Sequence, residues 1–123
     1  MKIYREIADA IIELKKVDNS KLTAKARFLP EFTGFKGHFE NKPILPGICQ
    51  LELVRAVVAR GLEQQLALMQ VKSVKFLHVV KPGEVVELKV EINNCADTLI
   101  VDANIGCDGN SVAKIKLELA IED

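Results

Sequence analysis

A chain of 123 residues is long enough for one substantial hydrophobic core and too short for two, so residues 1–123 are expected to form a single domain. Its 17 basic side chains are balanced by 17 acidic ones, which leaves it without the basic excess that nucleic-acid binding draws on. Hydrophobic residues make up 49% of the chain, yet the longest stretch without a charge, residues 43–51, is far short of the ~20 apolar residues of a membrane span.

The opening residues, Met1, Lys2, Ile3, Tyr4, Arg5 and Glu6, do not lead into the uncharged apolar core of a signal peptide, and a cytoplasmic location is expected. Residues 1–7 read as a short helix or a lead-in. Residues 8–15 and 22–29 then read as a pair of antiparallel strands, separated by the turn-forming Val17, Asp18, Asn19 and Ser20. Pro30 ends the second, and residues 31–36 form a loop that delivers His38.

A helix is expected from Gly47 to about Leu62. Pro43 and Pro46 fix the backbone before it and disfavour helix at the residues they follow, while Gly61 lies near its end. Between Ile48 and Ala59 only Gln50, Glu52 and Arg55 are polar, so the helix is apolar nearly all the way round and calls for burial on most sides. Beyond it come four strands. Residues 71–80 are rich in β-formers, and Pro82 and Gly83 turn the chain. Val86, Leu88, Val90 and Ile92 alternate with charged residues, as do Ala113, Ile115, Leu117 and Leu119, with Leu99, Val101, Ala103 and Ile105 repeating the period between them. Asp108 and Gly109 make a hairpin turn. One apolar helix among about six antiparallel strands points to an α+β fold in which an antiparallel sheet wraps around one long central helix. A single curved sheet cannot cover every side of that helix, so a second copy related by a two-fold axis is expected to cover the rest.

The chemistry-bearing residues crowd into one stretch. His38 exchanges a proton near neutral pH, and Glu52 is a carboxylate on a mostly apolar rod. Gly47 lies at the helix start, where backbone N–H groups lack internal partners and the dipole favours negative charge. Glu52 is five residues further on, about 7.5 Å along the axis. It also stands three residues before Arg55, so a plain ion pair on the helix face is an alternative. His78 lies in a strand-like run and reads as structural. Cys49, Cys95 and Cys107 have no paired spacing, which suggests neither a metal site nor a disulfide. Cys49 falls in the first helical turn, where a thiol can become nucleophilic, although free cysteine is usually a small buried hydrophobe.

Gly37, His38 and Phe39, the run Pro43, Ile44, Leu45, Pro46 and Gly47, and Glu52 resemble in type and spacing the signature of the FabZ-type 3-hydroxyacyl-[acyl carrier protein] dehydratases. Lys75 and Phe76, followed by Lys81, Pro82, Gly83 and Glu84, resemble a second landmark of that family. The resemblance spans roughly residues 34–92. It implies the hotdog fold and the dehydration of a 3-hydroxyacyl thioester to the trans-2-enoyl thioester in fatty acid or related lipid and polyene biosynthesis. His38 would take the α proton, the Gly47 N–H would bind the thioester oxygen, and Glu52 would orient or protonate the hydroxyl. An apolar surrounding is expected to favour the neutral form of Glu52.

Phe39, Ile44, Leu45 and Phe76 are expected to line the acyl channel. No cofactor is expected, since the substrate brings its own phosphopantetheine arm. The partners implied are acyl carrier protein, met by Lys36, Lys42, Lys72, Lys75 and Lys81, and a second copy of the chain, because the family forms homodimers, some assembled as trimers of dimers. In the family the histidine of one subunit works with the acid of the other. This chain departs from the pattern at Glu40, where a proline commonly follows the His-Phe pair, and at Ala56, where a glutamine is often found. The alternatives are a hotdog thioesterase using Glu52 as base, and a non-catalytic subunit that binds acyl carriers.

Overall fold

The computed structural model describes residues 2–36 and 42–122. Helix α1 (Lys2–Asp9) leads into strands β1 (Ile11–Asp18) and β2 (Lys21–Arg27), and a 3-10 turn (Thr33–Phe35) precedes the long helix α2 (Gly47–Leu62). Strands β3 (Gln65–Phe76), β4 (Val85–Cys95), β5 (Thr98–Cys107) and β6 (Asn110–Glu122) complete a six-stranded sheet in the order β1-β2-β4-β5-β6-β3, antiparallel at every pairing. This is the α+β architecture expected from the sequence, with the sheet curled around α2.

Two strands differ in extent from their sequence-based expectation. The first strand begins at Ile11 rather than at residue 8 because α1 runs to Asp9, and it continues through Val17 and Asp18. Its turn is confined to Asn19 and Ser20, with an Asp18 carboxylate oxygen accepting from both the backbone N–H (2.8 Å) and the hydroxyl (3.0 Å) of Ser20. The strand after α2 occupies Gln65–Phe76, starting before residue 71 and stopping short of residue 80.

Alternation builds the core in rows, because residues paired across neighbouring strands share a face. Leu22, Val90, Ala103, Ile115 and Val74 form one row from β2 to β3, and Ala24, Leu88, Ile105, Ala113 and Phe76 form the next. A third passes through Ile92, Val101, Leu117 and Val71. Every member is buried except those on β3, where Val71, Val74 and Phe76 are 37%, 41% and 47% exposed. The inward face of the sheet therefore runs past the cover that α2 provides. Register shifts between Leu68 and Gln70 and between Val71 and Ser73 bend this edge strand.

Helix α2 starts after Pro46, whose extended backbone takes the cap position, and stops where Glu63 turns left-handed (φ 53°) and donates its N–H to the Arg60 carbonyl at 3.2 Å. It buries Cys49, Gln50, Leu51, Leu53, Val54, Ala56, Val57 and Val58. Ile48, Glu52 and Arg55, spaced i, i+4 and i+7, form the stripe that the sheet leaves uncovered or half-covered.

Gly61 lets the end of α2 lie against β2. A Cβ added there would meet Leu22 Cδ1 at 2.6 Å, and Leu22 is 1% exposed, so the side chain would have to shift within the core. Alanine in place of glycine gains up to ~1 kcal/mol of helix propensity, whereas overpacking a tight core costs about 1–3 kcal/mol. Gly61→Ala is therefore expected to lower stability by about 1 kcal/mol, a fall of roughly 4 °C in Tm; a rise in Tm on thermal unfolding would show that Leu22 yields.

Candidate active site

Glu52 and Arg55 stand on the wall of a groove of about 490 Å³ between α2, the start of β3, Tyr4 of α1 and Glu122 of β6. The rest of its lining is apolar and comes from Ile48, Leu51, Leu66, Ala67 and Leu68. The Glu52 side chain is only 13% exposed. Arg55 Nε donates to both carboxylate oxygens, at 2.6 Å and 2.7 Å, and Arg55 Nη1 donates to the Leu66 carbonyl at 3.0 Å. The hydrogen bond and charge of Glu52 hold the guanidinium above its ordinary pKa, against the effect of its own burial. Within this apolar lining a cation sits on the Glu52 carboxylate, the i, i+3 pair that the spacing allowed.

Gly47 is the first residue of α2, and the N–H groups of Gly47 and Ile48 have no hydrogen-bond partner among the described residues, whereas Cys49 and Gln50 donate to the Pro46 carbonyl. The Phe76 ring packs on Gly47, at 2.6 Å from where a Cβ would stand. Glycine is what allows this contact. Gly47 and Phe76 therefore meet at the start of α2. Ile44 is half-buried, while Leu45 turns into the core at 3% exposure, its N–H donating to the Val80 carbonyl at 2.8 Å. His38 and Phe39 lie outside the described residues.

The residues leading to and from that stretch are firmly held. Phe28, Phe32 and Phe35 form a buried aromatic cluster with ring centroids 4.8 Å and 5.5 Å apart. Glu6 of α1 accepts from the Thr33 N–H at 3.0 Å. Hydrogen bonds from Thr33 hold the Glu6 carboxyl below its ordinary pKa, aided by Lys2 and Lys36. That tie is present above the usual carboxylate range and is lost as pH falls through the lowered value. Sequence reasoning did not find Glu6, since its partner is 27 residues away.

Cys49 is buried, and burial followed by the charge of Glu52 pushes its thiol up, which argues against a reactive thiolate. His78 is exposed, and its N–H donates to the Val112 carbonyl at 3.3 Å. Lys36, Lys42, Lys72, Lys75 and Lys81 are all exposed. A cluster the sequence did not suggest lies at the β5–β6 turn, where ligand atoms of Glu84, Cys107 and Asp108 come within 4.8 Å of one another.

Residues 14–116 match the family model described as ApeI-like, ApeI dehydratase. A 3-hydroxyacyl-[acyl-carrier-protein] dehydratase FabZ of Latilactobacillus sakei is 35% identical over 99 residues, covering 72% of this chain and 69% of that protein. FabZ of Caldicellulosiruptor bescii is 28% identical over 124 residues, covering 89% and 87%. Among solved structures, the dehydratase heterocomplex ApeI:P from Xenorhabdus doucetiae superimposes with a TM-score of 0.77 at 22% identity, over 89% of this chain and 96% of that one, which shows a shared fold.

The contact between Gly47 and Phe76 can be tested by a double-mutant cycle. Gly47→Ala alone is expected to cost about 1–3 kcal/mol, because the added methyl drives the ring from its seat. Adding Phe76→Ala, which removes the ring, should leave a coupling of roughly 0.5–3 kcal/mol in denaturant unfolding; strict additivity would mean that the two residues do not touch.

Proposed function

Since the chain belongs to the ApeI-like dehydratase family, we propose that it removes water from a 3-hydroxyacyl group carried as a thioester on acyl carrier protein, leaving the 2-enoyl thioester, in fatty acid or polyketide-type biosynthesis. The observation that carries this reading is the placement of the acid Glu52 on the wall of a mostly apolar groove, five residues along α2 from Gly47 at its start.

Elimination breaks a C–H bond at C2 and a C–O bond at C3, forms the double bond between them, and releases the proton and hydroxyl together as water. In this proposal neutral His38 takes the C2 proton, and the charge that grows on the thioester oxygen is met by the Gly47 N–H and the dipole of α2. Glu52 orients the departing hydroxyl, and the proton that His38 has taken from C2 is returned to it, so that the two leave as water. No cofactor enters, because the acyl group brings its own arm and these groups cover the proton and charge movements. The acyl chain runs along the apolar surface that includes Ile44 and Phe76, with Phe39 contributing from the same segment, whereas Leu45, expected to line the channel, is instead buried in the core behind it. The exposed lysines Lys36, Lys42, Lys72, Lys75 and Lys81 meet the acidic carrier. No helix among the described residues is long and apolar enough to cross a membrane. Three free cysteines fit a reducing compartment, and we place the protein in the cytoplasm.

The uncovered edge fits a second copy of the chain. Leu68, Met69, Val71, Val74 and Phe76 on β3 and Ile48 on α2 are exposed apolar side chains beside the groove, and a bare edge strand of this kind invites pairing with another strand. We propose a shared site, His38 of one protomer working with Glu52 of its partner, as the family resemblance implies.

A dehydration assay on carrier-bound 3-hydroxyacyl substrates tests the chemistry. His38→Ala and Glu52→Ala are each expected to lose at least about 100-fold in turnover. A mixture of the two allowed to exchange subunits should regain up to about a quarter of wild-type activity, since half the dimers are mixed and one of their two sites is intact. Release of free thiol instead of enoyl product would identify a thioesterase, and failure of the mixture to recover would remove the shared site. The edge is tested separately: Val71→Glu combined with Val74→Glu is expected to give monomers by analytical ultracentrifugation, and an unchanged dimer would move the interface elsewhere.

A further inference from the structure

We propose that Arg55 is a positioning residue for Glu52: anchored to β3 through the Leu66 carbonyl, it fixes the carboxylate as a hydrogen-bond acceptor on the groove wall. The inference rests on the dehydratase reading and specifies how the acid of that site is held.

An i, i+3 ion pair on an exposed helix face contributes only ~0.2–0.5 kcal/mol and leaves both side chains free to swing. The pair here is built differently. Arg55 is 26% exposed and Glu52 13%, and the groove around them is otherwise mostly apolar, so the guanidinium stands where an unpaired charge would be costly. Its Nε–H is shared between the two carboxylate oxygens, while Nη1 reaches across to the backbone of another element. Two attachment points on two elements set the plane of the guanidinium, and that plane sets the orientation of the carboxylate. Each Glu52 oxygen spends one acceptor site on Nε and retains another for a donor in the groove.

The direction of hydrogen bonding follows. A carboxylate that accepts from a guanidinium on one side accepts from a hydroxyl or water on the other. The other titratable groups around Glu52 are Tyr4 on α1, Cys49 on α2 and Glu122 on β6, and the facing part of β3 supplies only Leu66, Ala67 and Leu68. Arg55 is the sole cation on that wall among the described residues. Ala56, next in the chain, carries no polar group that could take over.

The test compares wild type, Arg55→Met and Arg55→Lys in the full chain, after thermal unfolding has shown each to be folded. Arg55→Met is expected to lose on the order of 100-fold in kcat with a smaller change in KM, because a misplaced catalytic group costs turnover rather than binding. Arg55→Lys, which keeps the charge and loses the fork, should restore only part of kcat.

A readout independent of turnover is the Arg55 Nε–H signal in ¹H–¹⁵N NMR, expected to be protected from exchange in wild type and unprotected in Glu52→Ala. An unchanged kcat in a folded Arg55→Met, or an unprotected Nε–H in wild type, overturns the inference while leaving the dehydratase reading intact. A wild type that forms no enoyl product overturns that reading, and the NMR measurement still decides whether Arg55 holds Glu52.

Discussion

The structure depends on keeping one apolar rod out of water. Helix α2 buries eight side chains distributed around its circumference, and a helix of that kind is stable in solution only if something covers nearly every side. The sheet supplies most of the cover by curling, with its inner rows of Leu, Val, Ile and Ala packed on the helix. Whatever the sheet does not reach becomes the one surface of α2 where polar groups can sit without being sealed in. Glu52 and Arg55 occupy that stripe. The position of the candidate site is therefore a consequence of how the rod is buried.

The same constraint orders the segment on the amino-terminal side of α2. The turn at Thr33–Phe35 is fixed from within by the phenylalanine cluster and from α1 by Glu6, and residues past 41 are tied down where Leu45 meets the Val80 carbonyl. Arg60, near the far end of α2, donates to the Ala8 carbonyl at 2.9 Å, so α1 is linked to the helix as well as to the turn. These ties are to backbone groups or buried rings, which makes them less sensitive to salt than pairs of exposed charges.

Much of this was legible in the sequence, for reasons that differ from element to element. Strands β4, β5 and β6 alternate because one face meets α2 and the other meets water, so Leu88 or Leu117 declares its side. The extent of α2 was legible because Pro46 and Gly47 mark its start and the apolar run its length. Strand β3 was not, because it lies at an edge with both faces largely exposed and opens with Gln65, Leu66, Ala67, Leu68 and Met69, a composition without alternation. The turn after β1 was legible in place but read two residues too long, because Asp18 stabilises it with its side chain while its backbone stays in the strand. Within the site, the spacing of Glu52 and Arg55 announced a possible pair. The bond from Arg55 to the Leu66 carbonyl could not be read, since it joins residues that only tertiary structure brings together.

The exposed edge and the site are parts of one surface. Leu66 and Leu68 line the groove beside Glu52, while Val71, Val74 and Phe76 continue the inner face along the same strand, ending at Gly47. Apolar area left bare along that line is costly to a lone chain at about 25 cal/mol per Å², and a second copy laid on β3 removes the cost by covering it. Under the proposed pairing the cover also closes the open side of the groove, excluding water from the carboxylate and the free amides of α2 and so strengthening every electrostatic contact made there. Association would then be part of how the site is completed, because the wall that the fold leaves open is the one a second copy would supply.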